Sequence, residues 1–140
     1  MFLLDTNVIS ELRRPARANR NVLAWAAAIP AATFFLSAIS ILEIEIGTLQ
    51  LARNDSAQGA VLRAWIDEQI LTRFAGRILP VDTRVAQHCA RLHVPDPRSE
   101  RDALIAATAL VHSLTVVTRN TADFELTGVA LLNPWNEPIG

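Results

Sequence analysis

Apolar residues fall along this chain in short unbroken runs that alternate with longer stretches of helical spacing. Phe2-Leu3-Leu4, Thr33-Phe34-Phe35-Leu36-Ser37, Ile78-Leu79-Pro80-Val81, Leu114-Thr115-Val116-Val117-Thr118 and Val129-Ala130-Leu131-Leu132 read as strands. They lack polar alternation, as strands buried on both faces do. Between them the spacing predicts helices over Val8–Leu12, ending before Pro15, and Asn21–Ile29, ended by Pro30. Further helices are predicted over Ile41–Leu51, Ser56–Phe74, Thr83–Leu92 and Arg101–Leu110. In the Ser56–Phe74 segment Val61, Leu62, Trp65, Ile66, Ile70 and Leu71 make one buried stripe. Pro80 puts the third strand at an end or edge of its sheet. Strands separated by helices predict an α/β fold: a three-layer α/β/α sandwich around a central parallel sheet of four to five strands, joined by right-handed crossovers. Such sheets gather their sites at the carboxyl ends of the strands.

One helix departs from the single-stripe pattern. Ile41, Leu42, Ile44, Ile46, Leu49 and Leu51 cover more of the circumference than one core-facing stripe needs, so this helix requires cover on a second side. Neighbouring elements of the same chain, or a second copy of it, would supply that cover.

Length and composition narrow the class. The 140 residues are sized for one domain, 1–140, and no repeat or Gly/Ser linker divides them. Hydrophobic residues at 51% exclude a disordered chain. Cys89 stands alone, which excludes a disulfide framework and cysteine-rich metal modules and fits a reducing cytoplasm. No apolar run is long enough to span a bilayer, and Asp5 interrupts the segment where a signal peptide would be apolar, so no membrane is expected. The net charge of −1 creates no basic field for nucleic acid. All 13 basic residues are arginine, the side chain whose planar fork grips phosphate, although a genomic preference for arginine accounts better for an exchange that runs through the whole chain.

Four acids fall where a parallel sheet would collect them. Asp5 follows the first strand, Glu43 lies in the helix after the second, Asp102 opens the helix before the fourth, and Asp123 comes shortly after the fourth. Each has an ordinary structural role open to it. Asp5 is placed to cap a helix, Ser40-x-x-Glu43 and Ser99-x-x-Asp102 have capping-box spacing, and Asp123 sits in a turn sequence. Capping does not explain why all four gather at one end of the sheet, embedded in apolar sequence. Converging carboxylates with no lysine to neutralise them must take up protons or a cation. An oxygen-only donor set suits Mg²⁺, with Mn²⁺ as a substitute, rather than zinc. Glu45 points to another side of its helix from Glu43 and is not expected to join them. Asp82 and Asp96 belong to solvated loops, and His88, His93 and His112 have no ligand spacing.

Four blocks, Leu4-Asp5-Thr6-Asn7-Val8-Ile9-Ser10, Ser40-x-x-Glu43-Ile44-x-x-Gly47, Asp102-Ala103-x-Ile105-Ala106-Ala107 and Val117-Thr118-Arg119-Asn120-x-x-Asp123-Phe124, follow in that order over nearly the whole chain. In these blocks the chain resembles the PIN domain family. Within the family it is most similar to the small VapC and FitB toxins of type II toxin–antitoxin pairs. The resemblance implies a PIN-like sandwich in which Asp5, Glu43, Asp102 and Asp123 hold the metal and carry catalysis. Thr6, Asn7, Thr118, Arg119 and Asn120 would touch the substrate or support the acids. It further implies Mg²⁺-dependent cleavage of RNA, a homodimer, and a small VapB-like antitoxin that covers the acidic pocket, often with an inserted arginine.

Rival chemistries lack their parts. No Gly-x-Ser-x-Gly elbow occurs, Cys89 has no oxyanion loop, and no phosphate-binding glycine loop is present. A phosphoacceptor aspartate at Asp5 would need a lysine that the chain does not contain. The alternative that stays open is a catalytically silent PIN-like module for binding RNA or protein.

Overall fold

The computed structural model describes residues 1–137, so the last three residues of the expected domain lie outside the described residues. Five parallel strands form the sheet in the order β3-β2-β1-β4-β5. They are β1 (Phe2–Leu4), β2 (Phe34–Ser37), β3 (Ile78–Leu79), β4 (Thr115–Val117) and β5 (Leu131–Leu132). The helices are α1 (Thr6–Leu12), α2 (Arg20–Ala28), α3 (Ala38–Asn54), α4 (Ser56–Trp65), α5 (Thr83–Leu92) and α6 (Glu100–His112). The outcome is the predicted three-layer α/β/α arrangement.

Alternation along β1 explains the layers, because consecutive strand residues face opposite ways. Leu4 joins Val8, Ile9, Trp25, Phe34, Leu36, Ile66 and Ile70 on the face covered by α1, α2 and the end of α4. Leu3 faces the other layer, with Val116, Ile105, Ala106 and Ala109. Alanine dominates the buried face of α6, so this helix lies close to the sheet, while Ala103 and Ala107 meet Val85 and Cys89 of α5. Pro80 ends β3 after two residues at one sheet edge, as its missing N–H requires. Among the described residues no helix is long and apolar enough to cross a membrane.

Several boundaries differ from the sequence reading. Helix α3 begins at Ala38, three residues early, because Ser37 rather than Ser40 is its cap: the Ile39 N–H donates to Ser37 Oγ at 3.0 Å. Ser40 and Glu43 therefore lie inside the helix and form no capping box. Ser99 occupies the N-cap position of α6 without accepting a capping hydrogen bond, so the second box is absent as well. The expected helix over Ser56–Phe74 is instead α4 followed by a π-helical turn, Ile66–Leu71, which turns both Ile66 and Ile70 into the core. Asp82 is exposed as expected and also caps α5, accepting from the Val85 N–H at 2.9 Å.

Helices α3 and α4 pack at a contact that glycine permits. A Cβ at Gly59 would stand 2.5 Å from Ala52 Cβ and 2.7 Å from Ala52 Cα. Gly59→Ala ought to stabilise an exposed helix by about 1 kcal/mol. Here it is expected to destabilise the protein by about 1–3 kcal/mol through overpacking, with Ala52→Gly on that background restoring part of the loss. Thermal unfolding of the three variants checks this, and a raised Tm for Gly59→Ala would contradict the close packing.

Candidate active site

Neighbouring strands β1 and β4 end side by side, and the residues that follow them are joined by hydrogen bonds. The Asp5 N–H donates to the Val117 carbonyl at 2.9 Å, carrying the ladder one step past β1. Asp5 is the N-cap of α1, its Oδ1 accepting from the Thr6 N–H at 2.8 Å. Its Oδ2 accepts from Thr118 Oγ1 at 2.8 Å and from Asn7 Nδ2 at 3.3 Å. The Thr118 hydroxyl in turn accepts from Asn7 Nδ2 at 3.2 Å and from the Asn120 N–H at 3.0 Å. Asn7 Oδ1 accepts from the Arg119 N–H at 3.2 Å. One buried carboxylate is thus fixed from two strands, and Thr6, Asn7, Thr118, Arg119 and Asn120 all belong to the network around it.

Glu43 reaches this end from α3, where its Oε1 accepts from Thr6 Oγ1 at 2.9 Å. Asp102 stands in the first turn of α6, and Asp123 in a 3-10 turn, Thr121–Asp123, beyond β4. Burial pushes the Asp5 carboxyl above its ordinary value; the Thr118 and Thr6 hydrogen bonds oppose that shift, and the Glu43 and Asp123 charges add to it. Asp102 is also raised, by burial first and then by Asp123 and Asp5, against a hydrogen bond from Ser99. The four acids therefore sense one another in the pattern 5–43, 5–123, 102–123 and 102–5. Among the described residues no three His, Cys, Asp or Glu side chains are close enough to make a ready-made metal cage. The donor chemistry, all carboxylate and mutually repelling, nevertheless fits a hard divalent cation that retains some of its waters.

Glu45 turns away, as its two-residue offset requires, and pairs with Arg63 of α4 through two contacts of 2.6 and 2.8 Å. Arg63 also holds Asp67 at 2.8 Å. Two contributors were missed in the sequence. Arg101 Nη1 stands 3.9 Å from Glu43 Oε2, half-exposed at the rim; its place directly before Asp102 was a usable signal. Trp135 lies under the Arg119 guanidinium, 5.3 Å from the ring centroid, and falls outside every motif block.

The raised Asp102 carboxyl fixes the sign of a stability effect. A folded-state pKa above the unfolded value of 3.8 means a contribution that is complete below 3.8 and is lost as pH rises through the folded value. At pH 7 the ionised group opposes folding. Asp102→Asn is therefore expected to raise Tm by a few degrees at neutral pH in EDTA, the gain fading towards pH 3. A Tm unchanged or lowered at pH 7 would contradict the repulsion.

The chain was compared with known proteins. Residues 2–129 match the pattern of the PIN domain. Toxin FitB of Neisseria gonorrhoeae is 41% identical over 143 aligned positions, covering 98% of this chain and all of that protein. VapC ribonuclease Y4jK of Sinorhizobium fredii is 36% identical, covering 96% of this chain and 98% of that protein. The crystal structure of FitAcB from Neisseria gonorrhoeae superposes with a TM-score of 0.88 at 41% identity, covering 97% of this chain and 99% of that one. The matched span holds all four acids in the order and spacing of the motif blocks, and the chain belongs to the PIN domain family, among its FitB- and VapC-like members.

Proposed function

We propose that this chain is a Mg²⁺-dependent endoribonuclease and the toxin of a type II toxin–antitoxin pair. The observation that carries this reading is the gathering of Asp5, Glu43, Asp102 and Asp123 at the carboxyl end of the sheet, with Asp5 and Asp102 raised by burial and by neighbouring carboxylates. Full-length likeness to Toxin FitB and to a VapC ribonuclease supports the activity and the pairing. The four acids would hold the cation, which when bound supplies the charge that activates water and stabilises the oxygen leaving phosphorus. Thr118 and Asn7 keep the Asp5 carboxylate in one orientation, and Thr6 does the same for Glu43. Arg101 and Arg119 offer guanidinium groups for the phosphates of single-stranded RNA. The open spacing of the acids favours one other reading, a silent module that binds RNA or protein.

The homodimer and the antitoxin belong to the same proposal, as does a cytoplasmic location. On α3 the buried side chains are Ile39, Ser40, Ile44 and Thr48, while Leu42 and Leu49 remain 46% and 63% exposed. Burying that stripe against a second copy answers the apolar surplus of the helix. A VapB-like antitoxin that placed an arginine among the four acids would neutralise the repulsion a cation neutralises, and so compete with it.

Asp5→Asn and Asp102→Asn are each expected to reduce cleavage of single-stranded RNA to about a hundredth or less while the fold is kept. Gel assays in Mg²⁺, with EDTA as the control, check this. Full activity in excess EDTA would overturn the metal mechanism, and no cleavage under any divalent cation would favour the silent module. Mn²⁺ at about a hundred times its dissociation constant is expected to add roughly 2.7 kcal/mol to stability. An unmoved melting curve would count against the site. Leu42→Glu with Leu49→Glu is expected to give a monomer by light scattering, where the unaltered chain gives a dimer; a monomer in both cases would reject the interface.

A further inference from the structure

Beside the acidic end lies a cleft of about 470 Å³, between the 94–98 loop ahead of α6 and the 122–126 segment after β4. Its lining combines three features that the fold does not require. Val94 and Leu126, 75% and 87% exposed, both line it, so two large apolar side chains left out of the core meet at one opening. Pro95 and Pro97 stiffen the loop wall, because each fixes its own φ. Arg98 is held in place, its N–H donating to His93 Nδ1 at 3.2 Å and its Nε to the Leu92 carbonyl at 2.8 Å. Asp123, one of the four acids, forms part of the same wall, and Asp96 is a second carboxylate in the lining.

We propose that this cleft is a subsite for one unpaired nucleobase of the RNA, next to the phosphodiester that is cut. The inference rests on the ribonuclease reading and adds to it the part of the substrate that this surface grips. An unpaired base is flat and apolar on both faces, and it stacks on aliphatic walls and on guanidinium planes. A held Arg98 offers such a plane, together with positive charge for the adjoining phosphate. The rigid loop loses little freedom when it is occupied. Because Asp123 is shared, a base seated here belongs to a nucleotide beside the reacting phosphate, and the cleft sets sequence preference at the cut. A protein segment could fill an apolar opening too, but the carboxylates of Asp96 and Asp123 can accept from the amino groups of a base while the oriented Arg98 faces its phosphate, partners that an apolar side chain lacks.

The test uses the full chain carrying Val94→Ser and Leu126→Ser, two exposed positions whose exchange leaves the core intact. Binding of a short single-stranded RNA is measured by fluorescence anisotropy in EDTA, and cut positions are mapped on a random-sequence RNA pool in Mg²⁺. The expected result is about tenfold weaker binding, with loss of nucleotide preference at one position beside the cut, and unchanged Tm and Mn²⁺ affinity. Equal binding and an unchanged cut map would overturn the subsite while leaving the ribonuclease reading intact. RNA bound in the cleft-dependent way but never cut would support the subsite and sink the ribonuclease reading.

Discussion

Repulsion among carboxylates gathered at the carboxyl end of the sheet is the constraint around which the rest of this structure is arranged. A parallel sheet whose β1 and β4 are neighbours brings Asp5 and the residues after Val117 to the same place. Asp5 is buried there, where an ionised group is disfavoured. It is tolerated because the Thr6 N–H, the Thr118 hydroxyl and the Asn7 amide all donate to it. These bonds offset only part of the penalty, since the Asp5 carboxyl still lies above its ordinary value. What remains is an unmet demand for positive charge, the property on which a cation-dependent activity can be built.

The scaffold serves that end of the sheet in unequal ways. Alanines on α6 bring Asp102 to the sheet by letting the helix approach closely, with Ala106 and Ala109 fully buried against it. On α3 two glutamates two residues apart do opposite things. Glu43 meets Thr6 at the acidic end, while Glu45 is clamped by Arg63 on the far side. The clamp ties α3 to α4 and fixes the rotation of α3 about its axis, and the close contact at Gly59 fixes its distance. Glu43 is thereby aimed by an ion pair in which it takes no part.

Much of this was legible in the chain itself. The unbroken apolar runs gave all five strands, because burial on both faces leaves no polar alternation to confuse the reading. The acids could be ordered along the sheet because connections in such folds obey fixed rules of handedness and site placement. The errors have physical causes. Ser40 has the spacing of a cap, but Ser37, three residues earlier, is a better one at the strand end, and only tertiary placement decides between two serines. The π-helical turn at Ile66–Leu71 leaves the apolar stripe intact, so periodicity does not reveal it. Trp135 reaches Arg119 across a distance that no local motif encodes, whereas Arg101 could have been found from its place beside Asp102.

The most direct test of the central claim is anomalous diffraction from crystals of the protein soaked in Mn²⁺. The account predicts an anomalous peak in the space bounded by Asp5, Glu43, Asp102 and Asp123, within ligand or water-bridged distance of the Asp5 carboxylate, and absent in crystals of Asp5→Asn. Manganese bound elsewhere with that space free of density, in a protein that still cleaves RNA, would contradict it.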